Sequence, residues 1–188
     1  TLAIITVFMG SMLAYKEKLL KRRLAYSTVS QVSYVLFGLF LLHPLGFLGA
    51  LMQVVFHAVA KNILFLGAGT IIYKTGKTFV YELKGLGKEM PIVMWTFAIA
   101  SLSLIGIPPT AGFVSKWYLA QGGLQPDFGT LGLVGVAVLM VSALLTAGYL
   151  LPIVSAAFFP GKDFDHESVI KQQDTWLMWT TLCLLTAA

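Results

Sequence analysis

"GFLGALMQVVFHAVAKNILFLGAGTIIY", residues 46–73, contains one lysine, one histidine and no acidic residue in a run dominated by apolar and small side chains. About 20 mostly apolar residues suffice to cross a bilayer as a helix, and this run is longer than that. The rest of the chain has the same character. Its 188 residues are 57% hydrophobic and 11% charged, whereas soluble domains carry about a quarter charged residues. The mean hydropathy is +0.83. Barrel strands would show as alternating segments of roughly ten residues, and the sequence has none. The expected fold class is all-α, a polytopic transmembrane helix bundle.

Six apolar segments are separated by polar or turn-rich breaks, at about 1–15, 24–42, 46–73, 91–121, 128–159 and 175–188. The fourth is interrupted by "GIPPTAG", residues 106–112. Pro108 and Pro109 remove two backbone donors and stop a regular helix, and Gly106 and Gly112 supply conformational freedom. Apolar sequence continues on both sides, so the expectation is one span broken into two half-helices. The first residues, "TLAIITVFMGSMLAY", have no basic n-region and no small-residue cleavage site, which argues against a signal peptide. Both ends read as the middles of helices. The expectation is an internal piece of a longer membrane protein, forming a single transmembrane domain over 1–188.

The basic residues set the orientation. Lys16, Lys18, Lys21, Arg22 and Arg23 lie between the first two spans, Lys74, Lys77, Lys84 and Lys88 between the third and fourth, and Lys162 and Lys171 after the fifth. The intervening connections, "LLHPLG" and "QGGLQPDFG", have neither lysine nor arginine. The positive-inside rule puts the three basic loops in the cytoplasm and the chain in the cell's inner membrane. The net charge of +5 is thereby explained by topology, and no basic soluble face remains for nucleic acid. The single cysteine, Cys183, excludes an internal disulfide and has no metal-site spacing. His43 and His166 have no metal-ligand neighbours, and "DFDHE", 163–167, is no complete calcium loop. No metal site, nucleophile–base arrangement or cofactor fingerprint is present.

Lys61 and Lys116 fall inside predicted spans, and no aspartate or glutamate lies at membrane depth. A charged lysine at mid-bilayer costs roughly 2.5–3.5 kcal/mol on insertion scales, and such residues face a bundle interior or a water-filled path. His57 and Lys61 are spaced i, i+4 and share one helix face, with Gln53 one turn earlier. Histidine accepts a proton at one ring nitrogen while releasing one from the other, so Gln53–His57–Lys61 has the composition of a proton wire. The alternative is that His57 bonds a backbone carbonyl and Lys61 snorkels to the interface. Lys61 lies about three turns before Tyr73, roughly 18 Å along the axis, which disfavours snorkelling. Lys116 and Ser115 stand just past the broken segment. Broken helices build ion sites in transporters. The plainer reading is an ordinary loop with Lys116 anchored beside Trp117 and Tyr118 in an aromatic belt. Ser27, Ser30, Gln31 and Ser33 in "STVSQVSY", 27–34, read as polar helix packing, and "GAGT", 67–70, as close helix contact.

Three motifs, "KRRLAYSTVSQVSY" at 21–34, "FHAVAKNILFLGAG" at 56–69 and "GIPPTAGFVSKWYLA" at 106–120, occur in an order and spacing that resembles the antiporter-like proton-translocating membrane subunits of respiratory complex I. Mrp-type cation/proton antiporter and membrane-bound hydrogenase subunits share the family. The resemblance covers nearly the whole chain. It implies the second of two inverted five-helix repeats, with the break in the family's broken twelfth helix. It also implies that Lys116 is the exit-side proton carrier and that His57 and Lys61 belong to a polar axis along the membrane centre. Gln53, Ser115 and, less directly, Lys21 at the start of the tenth helix would support them. Two departures stand out: Gln53 replaces a histidine found in some relatives, and Leu19 occupies a place often held by aspartate.

The implied partners are other membrane subunits, the lipid bilayer and protons or sodium. No cofactor is expected on this chain, because quinone and NADH would act in partner subunits of a complex I-like assembly. A structural scaffold with static lysines, and a small-solute transporter using the break as its binding site, are the rival readings.

Overall fold

The computed structural model describes residues 1–160 and Cys183. The rest of the expected sixth segment, Lys162, Lys171 and the acidic patch around His166 lie outside the described residues. The first helices are α1 (Leu2–Lys16), α2 (Leu20–Phe40) and α3 (Pro44–Thr75). A 3-10 turn (Val80–Leu83) and the short α4 (Leu86–Glu89) lead to α5 (Pro91–Ile105) and α6 (Ala111–Gly123). A second 3-10 turn (Pro126–Phe128) precedes α7 (Gly129–Phe158). No strand occurs among the described residues, in keeping with the all-α reading.

Local chemistry explains the boundaries. His43 caps α3, its Nδ1 accepting from Leu45 N at 3.2 Å, and Pro44 occupies the first turn, where its missing N–H costs nothing. α2 begins at Leu20, four residues earlier than the expected 24. Lysine and arginine are good helix formers, and Leu20 and Leu24 are fully buried, so the basic run continues the helix instead of forming a loop. Arg23 fixes this start: its Nε and Nη2 donate to Glu17 O at 2.8 and 2.5 Å, and its Nη1 donates to Tyr149 O on α7 at 3.1 Å. The backbone N–H groups of Leu19 and Lys18 hold the Glu17 carboxyl below the ordinary carboxylate range.

The two ends of the bundle separate by charge. Leu20 N donates to Thr78 O and Val80 N to Lys18 O, both at 3.0 Å, which ties the two basic connections together. Gly85 N donates to Ala156 O at 3.1 Å and brings the end of α7 to the same side. At the opposite end Thr1, Phe40, Leu41 and Phe128 line one cleft of about 130 Å³. The outer surface is apolar. On α7, Met140 and Leu144 are 66% and 72% exposed, and Leu131, Leu133 and Val134 nearer its start are exposed too, a surface that suits lipid and not water. α3 and the segment Pro126–Phe158 are each long and apolar enough to cross a membrane. α3, about 48 Å long, exceeds the ~30 Å hydrocarbon core and must tilt or protrude.

The fourth span is broken as expected, within narrower limits. α5 stops at Gly106, which takes φ +85° and donates to Leu102 O at 3.0 Å. A turn through the exposed Pro108 and Pro109 closes with Thr110 N donating to Ile107 O at 2.9 Å, and α6 starts at Ala111. Gly112 thus lies inside the first turn of α6, not in the break. Its lack of a side chain serves close approach: a Cβ there would fall onto Ser103 O of α5. Gly112→Ala should force the half-helices apart and cost about 1–3 kcal/mol, the usual range for overpacking. A lowered midpoint for thermal unfolding of the solubilised protein would show it.

Candidate functional site

One group of buried polar side chains, with both buried lysines of the predicted spans, lies where α2, α3, α5 and α6 meet. Lys61 is 6% exposed, and its chain crosses from α3 to α2, where Nζ donates to Leu24 O at 2.8 Å and to Ser27 Oγ. Ser27 itself donates to Leu24 O at 2.8 Å. All the oxygens holding this ammonium are neutral. The side chain turns inward and does not snorkel, which agrees with its depth in the helix.

Lys116 has a different seat. From the second turn of α6 it reaches back across the break, and Nζ donates to Leu104 O at 2.6 Å and Ile105 O at 2.8 Å. These are last-turn carbonyls of α5, which have no partner within their own helix. The negative end of the helix dipole favours a cation there, by about 0.3–1 kcal/mol and up to ~2 when partly buried. The ammonium also lies 5.4 Å from the centre of the Tyr34 ring. Lys116 is therefore the cap of a half-helix and not an interfacial anchor, although its neighbour Trp117 is exposed.

His57 is half-buried, and both of its ring nitrogens are enclosed without a hydrogen-bond partner. It lines a small cavity of about 10 Å³ with Gln53, Phe56, Ala60, Ser103, Leu104 and Gly112. That is near the least volume that holds one water. One wall is Leu104, whose carbonyl receives Lys116, and another is Ala60, next in sequence to Lys61. His57 thus lies one turn before Lys61 on α3 and lines a cavity with Leu104, whose carbonyl receives Lys116.

Gln53 and Ser115 join this group through direct bonds. Ser115 Oγ donates to Gln53 Oε1 at 2.5 Å, and Gln53 Nε2 donates to Gln31 Oε1 at 2.7 Å. Lys21 does not join it: it is exposed on the first turn of α2 at the basic end. Gly106, Pro108 and Pro109 shape the turn that brings Lys116 back onto α5. Two further members are Gln31, which the sequence presents as packing, and Tyr34, which sequence reasoning passes over. Their spacing from Ser27, four and seven residues on, puts all three on one face of α2.

A family model described as "NADH:quinone oxidoreductase/Mrp antiporter, TM" matches residues 1–146. The chain belongs to this family. NADH-quinone oxidoreductase subunit N of Desulforudis audaxviator is 43% identical over 155 residues, covering 82% of this chain and 30% of the relative. A Na(+)/H(+) antiporter subunit of Bacillus subtilis is 33% identical over 160 residues, covering 84% of this chain and 31% of the relative. Among solved structures, an archaeal respiratory complex, the membrane-bound sulfane sulfur reductase, has a chain that superposes with TM-score 0.85 at 32% identity, covering 99% of this chain and 30% of that one. The chain thus spans about 30% of the length of the relatives it matches. As a member of the oxidoreductase/antiporter family it is a multi-pass membrane protein.

Proposed function

We propose that this chain is the proton-conducting part of an antiporter-like membrane subunit, moving protons from Lys61 by way of His57 to Lys116. One observation carries the reading. Two ammonium groups turn inward onto neutral oxygens within an apolar bundle, and a histidine with two unpartnered nitrogens lies one turn from the first and lines a cavity with Leu104, whose carbonyl holds the second. A wholly structural lysine would be an expensive device here, because an apolar side chain would pack the same seam without the ~2.5–3.5 kcal/mol insertion cost. His57 can take a proton at one nitrogen and release one from the other, with a single water in the adjoining cavity completing the step to Lys116. Charge arriving on one lysine weakens proton binding at the next, so transfer couples along the line.

The driving free energy comes from other subunits of a membrane complex in the cytoplasmic membrane. The basic connections face the cytoplasm, and protons leave beyond Lys116 on the other side. The chain itself holds no cofactor; in an oxidoreductase complex NADH and quinone act in partner subunits. Proton exchange for sodium is the second reading, favoured by the identity to an antiporter subunit. The test uses the full-length subunit in its assembled complex, sealed in vesicles with an internal pH dye. Proton movement should be driven by turnover or an imposed gradient and should collapse with an uncoupler. Persistence in sodium-free medium assigns proton pumping, and an absolute sodium requirement assigns exchange. Vesicles that move no protons under either condition would sink both.

A further inference from the structure

The hydroxyls of Ser11, Ser30 and Ser142 come from α1, α2 and α7, and all three residues are fully buried. Ser11 Oγ lies 2.8 Å from Ser30 Oγ and 2.5 Å from Ser142 Oγ, and Ser30 and Ser142 are 3.2 Å apart. Serine and threonine inside helices commonly bond a carbonyl of their own helix one turn back. Thr28, Ser33 and Thr70 do so here. The three serines instead point at one another across three helices, with Ser30 also donating to Val7 O at 2.9 Å.

Further hydroxyls line the seam between α2 and α7 on both sides of this cluster, with Thr146 donating at rest to Ser142 O of its own helix at 2.8 Å. Toward the basic end, Tyr149 donates to Thr146 Oγ1 at 3.4 Å, with Ser27 also beside its hydroxyl, and Ser27 receives Lys61. Toward the other end, Tyr34 donates to Leu139 O at 2.8 Å, with Ser142 beside it, and the Tyr34 ring faces Lys116. Ser27, Ser30 and Tyr34 share one face of α2. Ser142, Thr146 and Tyr149, spaced i, i+4, i+7, share one face of α7. Two hydroxyl stripes thus lie opposite each other, with a buried lysine near each end.

We propose that these hydroxyls form a second proton-transfer branch from Lys61 toward Lys116, one that bypasses His57. It deepens the proton-conduction reading and rests on it. Each hydroxyl accepts a proton on an oxygen lone pair and passes its own proton to the next oxygen. Lys61 gives up one proton and ends neutral, Lys116 in its neutral form gains one from the Tyr34 hydroxyl once that hydroxyl turns from Leu139 O, and rotation of the otherwise unaltered hydroxyls resets the chain. No oxidant, reductant or co-reactant is needed.

The competing explanation is interhelical adhesion, worth about 0.6 kcal/mol per polar contact on average in membranes. Proton flux through the assembled complex in vesicles separates the two. With His57 intact, the double variant Ser30→Ala, Ser142→Ala should keep most of the wild-type flux, because the histidine branch still conducts. In a His57→Phe background a residual flux should remain. Adding the two serine changes should then lower it by a further factor of about ten or more, and Ser142→Thr, which keeps the hydroxyl, should not. His57→Gln serves as the background if the Phe variant does not assemble. Flux already at background when His57 is replaced, or a residual that the serine changes leave untouched, overturns the branch. Equal loss in both backgrounds assigns the serines to packing and also overturns it. Lys61→Met should silence both branches. Undiminished flux in that variant would count against the conduction reading itself, independently of the ladder.

Discussion

Lys116→Arg is expected to assemble with nearly wild-type thermal stability and to conduct no protons. Leu104 O and Ile105 O, in the last turn of α5, are held by the Lys116 ammonium at 2.6 and 2.8 Å. Arginine offers five N–H donors and a permanent positive charge, so it can hold the same carbonyls and keep the favourable dipole interaction. It cannot give up a proton at any accessible pH. Structure and conduction therefore come apart in one substitution. Lys116→Ala removes both: flux falls to background, and the two carbonyls lose their partner, at about 1–3 kcal/mol each if left unsatisfied. The complex still assembles, because the packing of α6 against α3 rests on apolar and small residues such as Leu119 and Gly49. Dye-reported proton movement alongside a thermal melt of each variant checks this. An arginine variant that pumps normally would remove Lys116 from the proton path.

The break and the inward lysines are legible in the sequence because each violates a simple rule. Two adjacent prolines cannot continue a helix, and a lysine three turns from a helix end cannot easily reach water. What Lys116 grips is not legible. Nothing in the residue order hints that the chain after Gly106 folds back to place Nζ on carbonyls eleven and twelve positions earlier. Gly112 is expected in the break for the same reason, whereas its role is proximity to Ser103 O and depends on how α6 crosses α5. The hydroxyl seam is half visible. Ser142, Thr146 and Tyr149 share one face of α7 by spacing alone, yet small polar residues on one face usually signal helix contact. Only the meeting of α1, α2 and α7 gives Ser11 and Ser30 their places beside Ser142. The start of α2 escapes a reading that takes basic residues for a loop, because Leu20 and Leu24 on their inner side anchor a helical turn.

Replacing Lys61 by methionine should move stability and activity in opposite directions. Methionine has similar length and no charge, so the buried ammonium and its insertion cost of roughly 2.5–3.5 kcal/mol disappear. The oxygens left behind are not orphaned. Leu24 O still accepts from Ser27 Oγ at 2.8 Å and from Thr28 Oγ1 at 3.0 Å. Removing a buried charge in favour of a well-packed apolar group is often neutral or stabilising, and Phe65, whose ring lies 5.9 Å from the ammonium, offers the thioether a favourable neighbour. The melting temperature of the Lys61→Met complex should therefore match or exceed that of the wild type. Proton flux should nevertheless fall to background, because both the histidine route and the hydroxyl seam begin at this side chain. A static anchor predicts the reverse pattern: full flux, with a melting temperature lowered by the loss of a contact. The sign of the stability change and the size of the flux change, measured on the same preparation, decide between a proton relay and a scaffold.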